Sequence, residues 1–173
     1  MSKEQTCCFF GHRKIKNADE LGLRVKSIVE DLIINKKIDT FLFGSKSEFD
    51  SLCRSVVAEF RKKYPHIKRI YVRAEYPEIN DSYKAYLLEN CEDTYYPERI
   101  ENAGRAVYVE RNCEMIDNSA WCVVYYNKNY MPPSRRTGKN NVIPTYQPNS
   151  GTKRAYDYAK RKNVRIINTF PDE

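Results

Sequence analysis

Four places in this 173-residue chain carry residue types suited to chemistry on a charged small molecule. Ser150-Gly151-Thr152, preceded by Asn149, opens a Gly- and Pro-free run over 153–162. Small residues at a helix start let first-turn N–H groups face outward, where the macrodipole favours an anion. Thr152 adds a hydroxyl and Lys153 and Arg154 add positive charge, so a phosphate fits there; an ordinary Ser N-cap accounts for the same residues equally well. Gly11-His12-Arg13 and Gly44-Ser45-Lys46 each close a short apolar run and supply candidate ligand contacts from strand-exit loops. Arg111, on a helix, could reach the same rim and pair bidentately with phosphate. Glu48 and Asp50 are the carboxylates beside a glycine-containing strand exit. They are the catalytic candidates if an N-glycosidic bond is cleaved, a reaction that needs a carboxylate to orient water or stabilise oxocarbenium charge. Asp50 also stands three residues after Ser47, where a carboxylate completes a helix cap. Tyr125, Tyr126 and Tyr130 could stack on a base or simply fill the core and surface.

Positioning these residues is the work of five strands and the helices between them. Short segments rich in apolar residues at 6–10, 39–43, 69–73, 120–126 and 164–167 read as strands. Between the first two, Asn17 and Glu20 resemble a helix start, and Leu21, Val25, Ile28, Val29 and Leu32 fall at 3.6-residue spacing. Phe49, Leu52, Cys53, Val56, Val57 and Phe60 mark a second helix, capped by Ser47 and ended by Tyr64-Pro65. A short helix is expected around 83–88, a longer one over 103–118 with Ala106, Val109, Cys113 and Ile116 inward, and a last one over 150–162. Strand–helix alternation at this spacing predicts an α/β fold, a Rossmann-like three-layer sandwich with a mostly parallel five-stranded sheet of order 3-2-1-4-5. The whole of 1–173 is expected to form one domain. Strands one and four then flank the switch point, and the loops at 11–14, 44–48 and 150–152 converge on one rim at the carboxyl ends. The connection 127–149 holds four prolines and four bases, and its length predicts a lid or a mobile segment.

Composition narrows the partners. With 31% charged, 41% hydrophobic and 13% aromatic residues, and no apolar run near the roughly 20 residues that span a bilayer, the chain reads as soluble and not a membrane protein. The N-terminus shows no signal-peptide pattern, so a cytoplasmic protein is expected. Six cysteines form no C-x-x-C pair or zinc-ligand spacing, which predicts reduced structural thiols and no bound metal. Charge is local: over 128–165 ten Lys/Arg stand against one acid, +9, while over 75–101 eight acids stand against two bases, −6. That favours an anionic ligand near the C-terminal third over a uniformly basic surface.

Taken in order, Gly11-His12-Arg13, then Gly44 with Phe49-Asp50, then Glu110-Arg111-Asn112 with Met115, then Ser150-Gly151-Thr152 resemble the SLOG superfamily. That superfamily contains the LOG phosphoribohydrolases, the DprA/SMF DNA-processing proteins and the YpsA-like bacterial proteins, and the YpsA-like branch fits best. The resemblance covers nearly the whole chain and implies a Rossmann-like domain that binds a nucleotide or a nucleotide-derived ligand. LOG enzymes carry an Arg-Lys pair before strand four and a P-G-G-x-G-T-x-x-E segment before the next helix. Arg111 matches the arginine, and Asn112 stands in place of the lysine. Gly151-Thr152 matches the G-T, Pro148-Asn149-Ser150 replaces the proline and double glycine, and Ala155 occupies the place of the glutamate. Because that glutamate belongs to the hydrolytic machinery, the resemblance implies binding before hydrolysis. A binding or sensor domain for a nucleotide-like small molecule is therefore the first expectation, with no separate cofactor. The alternatives are an N-glycoside hydrolase or transferase acting on nucleotides, using Glu48 or Asp50, and a DprA-like nucleic-acid-binding protein. A second copy of the chain is admitted as a partner.

Overall fold

Alternation along the strands decides the layering. A computed structural model describes residues 1–131 and 150–171. The described chain runs β1 (Thr6–Gly11), α1 (Ala18–Ile34), β2 (Thr40–Phe43), α2 (Glu48–Lys63), β3 (Lys68–Val72), α3 (Asp81–Leu88), β4 (Asp93–Tyr95), α4 (Val107–Asp117), β5 (Trp121–Tyr125), α5 (Gly151–Arg161) and β6 (Arg165–Asn168). In β1, Cys7 and Phe9 join a core with Phe41, Phe43, Val25, Val29 and Phe49, while Cys8 and Phe10 join one with Leu42, Cys122, Met115, Ile116 and Ala155. Successive strand residues point to opposite faces, so α1 and α2 cover one side of the sheet and α4 and α5 the other. Strands buried on both faces need uninterrupted apolar runs, which is why the strands of the sheet centre are legible without alternation. The rings of Phe9 and Phe43 stack at 4.9 Å. Each fully buried phenylalanine contributes roughly 1.5–3 kcal/mol of transfer free energy.

The strands form one all-parallel sheet of order β4-β3-β2-β1-β5-β6. From β1 the chain winds outward through β2, β3 and β4, then returns by α4 to place β5 on the other side of β1. The crevice between β1 and β5 is the topological switch point. Their pairing, Cys7 opposite Trp121 through Gly11 opposite Tyr125, is continued by the His12 N–H donating to Tyr125 O at 3.2 Å.

Three-layer architecture agrees with expectation, and four details differ. The sheet has six strands, not five, because β4 adds to the edge beside β3; the order 3-2-1-4-5 sits intact within it. Asp93-Thr94-Tyr95 has no apolar run to announce it and is held by pairing with β3 and by the Thr94 hydroxyl donating to Tyr71 O at 2.8 Å. The helix expected from 103 starts at Val107, after a 3-10 turn at Gly104–Ala106. Its buried residues are Arg111, Cys113, Met115 and Ile116, whereas Ala106 is exposed and Val109 half-buried. Asn17 lies in the left-handed region at φ 50° and its side chain makes no cap hydrogen bond. Among the described residues no helix is long and apolar enough to cross a membrane. All six cysteines are buried and free.

Candidate functional site

At the carboxyl ends of β1, β2 and β5 lies a cleft of about 520 Å³. Gly11, His12 and Arg13 line it from the β1 exit and Gly44 and Ser45 from the β2 exit; Ser150, Gly151 and Thr152 line it from the start of α5. Arg111, Asn112 and Met115 complete it from α4, and Tyr130 covers one side. Two glycines are required by close approach. A Cβ on Gly11 would overlap the Phe49 ring, and one on Gly44 would stand 2.7 Å from Arg111 Nη1 and 2.8 Å from its Cδ and Cζ. Lys46 does not line this cleft; it lines the neighbouring lobe described below.

Arg111 is only 5% exposed, an unusual fate for an arginine on a helix. Its Nη1 donates to Gly44 O and, at 3.5 Å, to Val72 O, and its Nε donates to Asn112 Oδ1 at 3.0 Å. Burial lowers its pKa from the usual arginine value, opposed by Tyr71 and Asp50. No group among the described residues accepts from Nη2. The side chain is thus anchored by one edge of its fork at the wall of the cleft, with donor capacity left for a ligand oxygen.

His12 is 4% exposed. Its Nε2 accepts the Asn127 N–H at 3.0 Å, and its ring stacks on Tyr130 at 4.1 Å. Burial lowers its pKa, and accepting that N–H needs the unprotonated nitrogen, so the imidazole is neutral at physiological pH. Of the three tyrosines considered for stacking, only Tyr130 lines the cleft. Tyr125 is buried with its hydroxyl accepting from Lys16 N, and Tyr126 stacks on Tyr156 at 4.5 Å.

The two carboxylates lie outside the cleft lining. Glu48 bonds Lys14 Nζ at 2.5 Å and the Ile15 N–H at 3.1 Å, while its own N–H donates to Arg13 O at 3.0 Å. Those bonds tie the β1 exit loop to the start of α2, and they hold the Glu48 carboxyl below its ordinary pKa. Asp50 is 1% exposed. Its N–H donates to Ser47 Oγ, the expected cap, but its carboxylate turns away from the cap and accepts from Ser45 N at 3.3 Å and Gly44 N at 3.5 Å. Its other oxygen is buried without a partner among the described residues. Burial pushes this carboxyl up to about 6 against the pull of Arg54 and the two loop N–H groups. Asp50 and Arg111 therefore hold the 44–45 turn from opposite sides, one accepting its N–H groups and the other donating to its carbonyl.

At α5, Ser150 Oγ accepts the Lys153 N–H at 3.1 Å and Ser150 O the Arg154 N–H. The N–H groups of Gly151 and Thr152 have no acceptor among the described residues, so they remain available at the positive end of the helix. Asp157 is engaged by Lys153 at 2.6 Å and does not line the cleft. Ala155 is 3% exposed in the core beneath α5. Asn149 and the segment 132–149 of the expected lid, with Arg135, Arg136 and Lys139, lie outside the described residues.

A second lobe, about 300 Å³, adjoins the first over the carboxyl ends of β2 and β3. Arg13, Gly44, Ser45, Tyr108 and Arg111 line both lobes; Lys46, Arg73, Glu75 and the rings of Tyr71, Tyr76 and Tyr83 belong to this one. Neither Tyr108 nor Arg73 belongs to a local sequence motif that marks a site residue. Among the described residues no group of three or more His, Cys, Asp or Glu has the arrangement of a metal site. No family model matches the sequence, and no curated protein matches it either.

Proposed function

We propose that the chain is a binding or sensor domain for a nucleotide or nucleotide-derived ligand, held at the carboxyl ends of the strands, and that it belongs with the YpsA-like branch of the SLOG superfamily. One observation supports this above the alternatives: the cleft at the switch point joins a half-anchored buried arginine, unbonded helix N–H groups and two strand-exit glycines, with no carboxylate among its described lining residues. Phosphate recognition uses such donors, and the stacked His12–Tyr130 pair offers an aromatic edge for a base or ribose. Cleaving an N-glycosidic bond would need a carboxylate at the sugar. Glu48 is engaged by Lys14 and Ile15, Asp50 lies beneath the 44–45 turn, and Ala155 replaces the LOG glutamate, so binding is expected without rapid hydrolysis. The nucleic-acid alternative draws on the basic stretch 128–165, and none of its seven described bases lines the cleft. Six free, buried thiols suit a reducing, cytoplasmic setting.

The test is native mass spectrometry of the purified protein for a co-purifying nucleotide, then calorimetric titration with AMP and GMP. Arg111→Ala should weaken binding about tenfold to a hundredfold, the worth of a charge-assisted hydrogen bond. Chromatography of the same mixtures should show no appreciable free base. Absence of AMP and GMP binding by the folded wild-type protein would refute the proposal, and robust base release lost in Asp50→Asn or Glu48→Gln would replace it with a hydrolase.

A further inference from the structure

The lobe over β2 and β3 has a charge balance that a single phosphate at the start of α5 leaves unused. Arg13, Lys46, Arg73 and Arg111 line it against one acid, Glu75, a net +3 within about 300 Å³. The Arg13 side chain makes no hydrogen bond or ion pair among the described residues. Lys46 Nζ lies 3.6 Å from Glu75, beyond good hydrogen-bond distance. Arg73 is held in place by Nη1 donating to Tyr76 O at 2.7 Å and Pro77 O at 3.0 Å, and its buried Nε has no partner. Its fork is therefore fixed by backbone acceptors and its charge is not neutralised by any of the ion pairs of the described residues. Glu75 also accepts from the Tyr108 hydroxyl at 3.2 Å, so it stands as the counter-ion of this lobe. Arg111 and Arg13 lie on the shared wall, which makes the two lobes one bipartite anion site.

We infer that the ligand carries at least two phosphoryl groups, one at the start of α5 and a second in the lobe formed by Arg13, Lys46 and Arg73. This rests on the nucleotide reading of the first lobe and goes beyond it by naming the ligand class: a nucleoside diphosphate or longer chain, or a nucleotide phosphorylated at two separate hydroxyls. On binding, the second phosphoryl group takes over Lys46 from Glu75, and the Glu75 carboxylate opposes it by like charge. Removing that charge favours the ligand.

The experiment is calorimetric titration of the full chain with AMP, ADP and adenosine 3′,5′-bisphosphate at one fixed ionic strength. At least one doubly phosphorylated ligand should bind about tenfold or more tighter than AMP, and which one it is separates a phosphate chain from two separated groups. Lys46→Gln, a substitution at an exposed side chain that leaves the core untouched, should reduce the preference to about threefold or less, and Glu75→Gln should increase it. Equal affinities for all three ligands, or a preference unchanged in Lys46→Gln, would overturn the inference while leaving the nucleotide reading in place. Weaker binding of all three in Glu75→Gln would overturn it too, assigning Glu75 to a sugar hydroxyl. Failure of AMP and both doubly phosphorylated ligands to bind would instead refute the nucleotide reading on which it rests.

Discussion

Asp50→Asn tests whether the turn that shapes the site is held by a carboxylate kept in an unfavourable place. Asp50 is 1% exposed, one oxygen accepts two backbone N–H groups, and the other has no partner among the described residues. Burial raises its pKa from 3.8 to about 6, outweighing Arg54, the two N–H groups and Arg111. Because the folded pKa lies above the unfolded one, the folded state holds the proton more tightly. That stabilisation is fully present below about pH 4 and is lost as pH rises through about 6. That rise corresponds to roughly 2–3 kcal/mol, most of it lost between pH 4 and pH 7.5. Asparagine keeps an acceptor for Gly44 and Ser45 and removes the titration. The stability of Asp50→Asn relative to wild type should therefore be roughly 2–3 kcal/mol more favourable at pH 7.5 than at pH 4. This difference is independent of any constant packing cost of the amide. Urea denaturation of both proteins at half-unit pH steps reads it directly. A relative stability flat across that range would refute the reasoning, since it would mean that Asp50 titrates alike in both states.

Two further outcomes follow from contacts at the site. Gly44→Ala must displace the Arg111 guanidinium and should cost roughly 1–3 kcal/mol as an overpacking change, but less than about 0.5 kcal/mol in an Arg111→Ala background; additive costs in a double-mutant cycle would contradict the contact. Ala155→Glu puts a carboxylate at a position only 3% exposed and should destabilise the fold by roughly 3–5 kcal/mol without producing base release; a thermally wild-type variant that releases base from AMP would show that the position opens to the cleft.

Legibility of the fold followed burial. Strands β1, β2 and β5 are covered on both faces, and two covered faces demand unbroken apolar runs, which are visible at 7–10, 41–43 and 120–126. Edge strand β4 has no such signal, because Asp93-Thr94-Tyr95 is half-exposed and owes its form to β3. At the site, Ser47 and Ser150 cap their helices as the local pattern indicates, since a cap is a bond across three residues. Arg111 gave no local sign of burial. A charged helix residue is ordinarily solvated, and this one is desolvated only because a glycine 67 residues earlier leaves room for it.

The sequence by itself therefore determined the strand–helix alternation, the parallel sheet that alternation requires, and with it the switch point on which the loops at 11–14, 44–48 and 150–152 were expected to converge. Local periodicity and turn chemistry are enough for that, because they act over a few residues and right-handed crossovers leave few arrangements. Only the tertiary structure decided that Asp50 turns inward, that Arg111 braces Gly44, that Asn127 reaches His12 across 115 residues, and that Lys46 and Arg73 share a lobe. Each of these depends on desolvation and on a partner from a distant element. Whether a charge is buried or solvated is set by what packs opposite it, and a residue's neighbours in sequence do not carry that information.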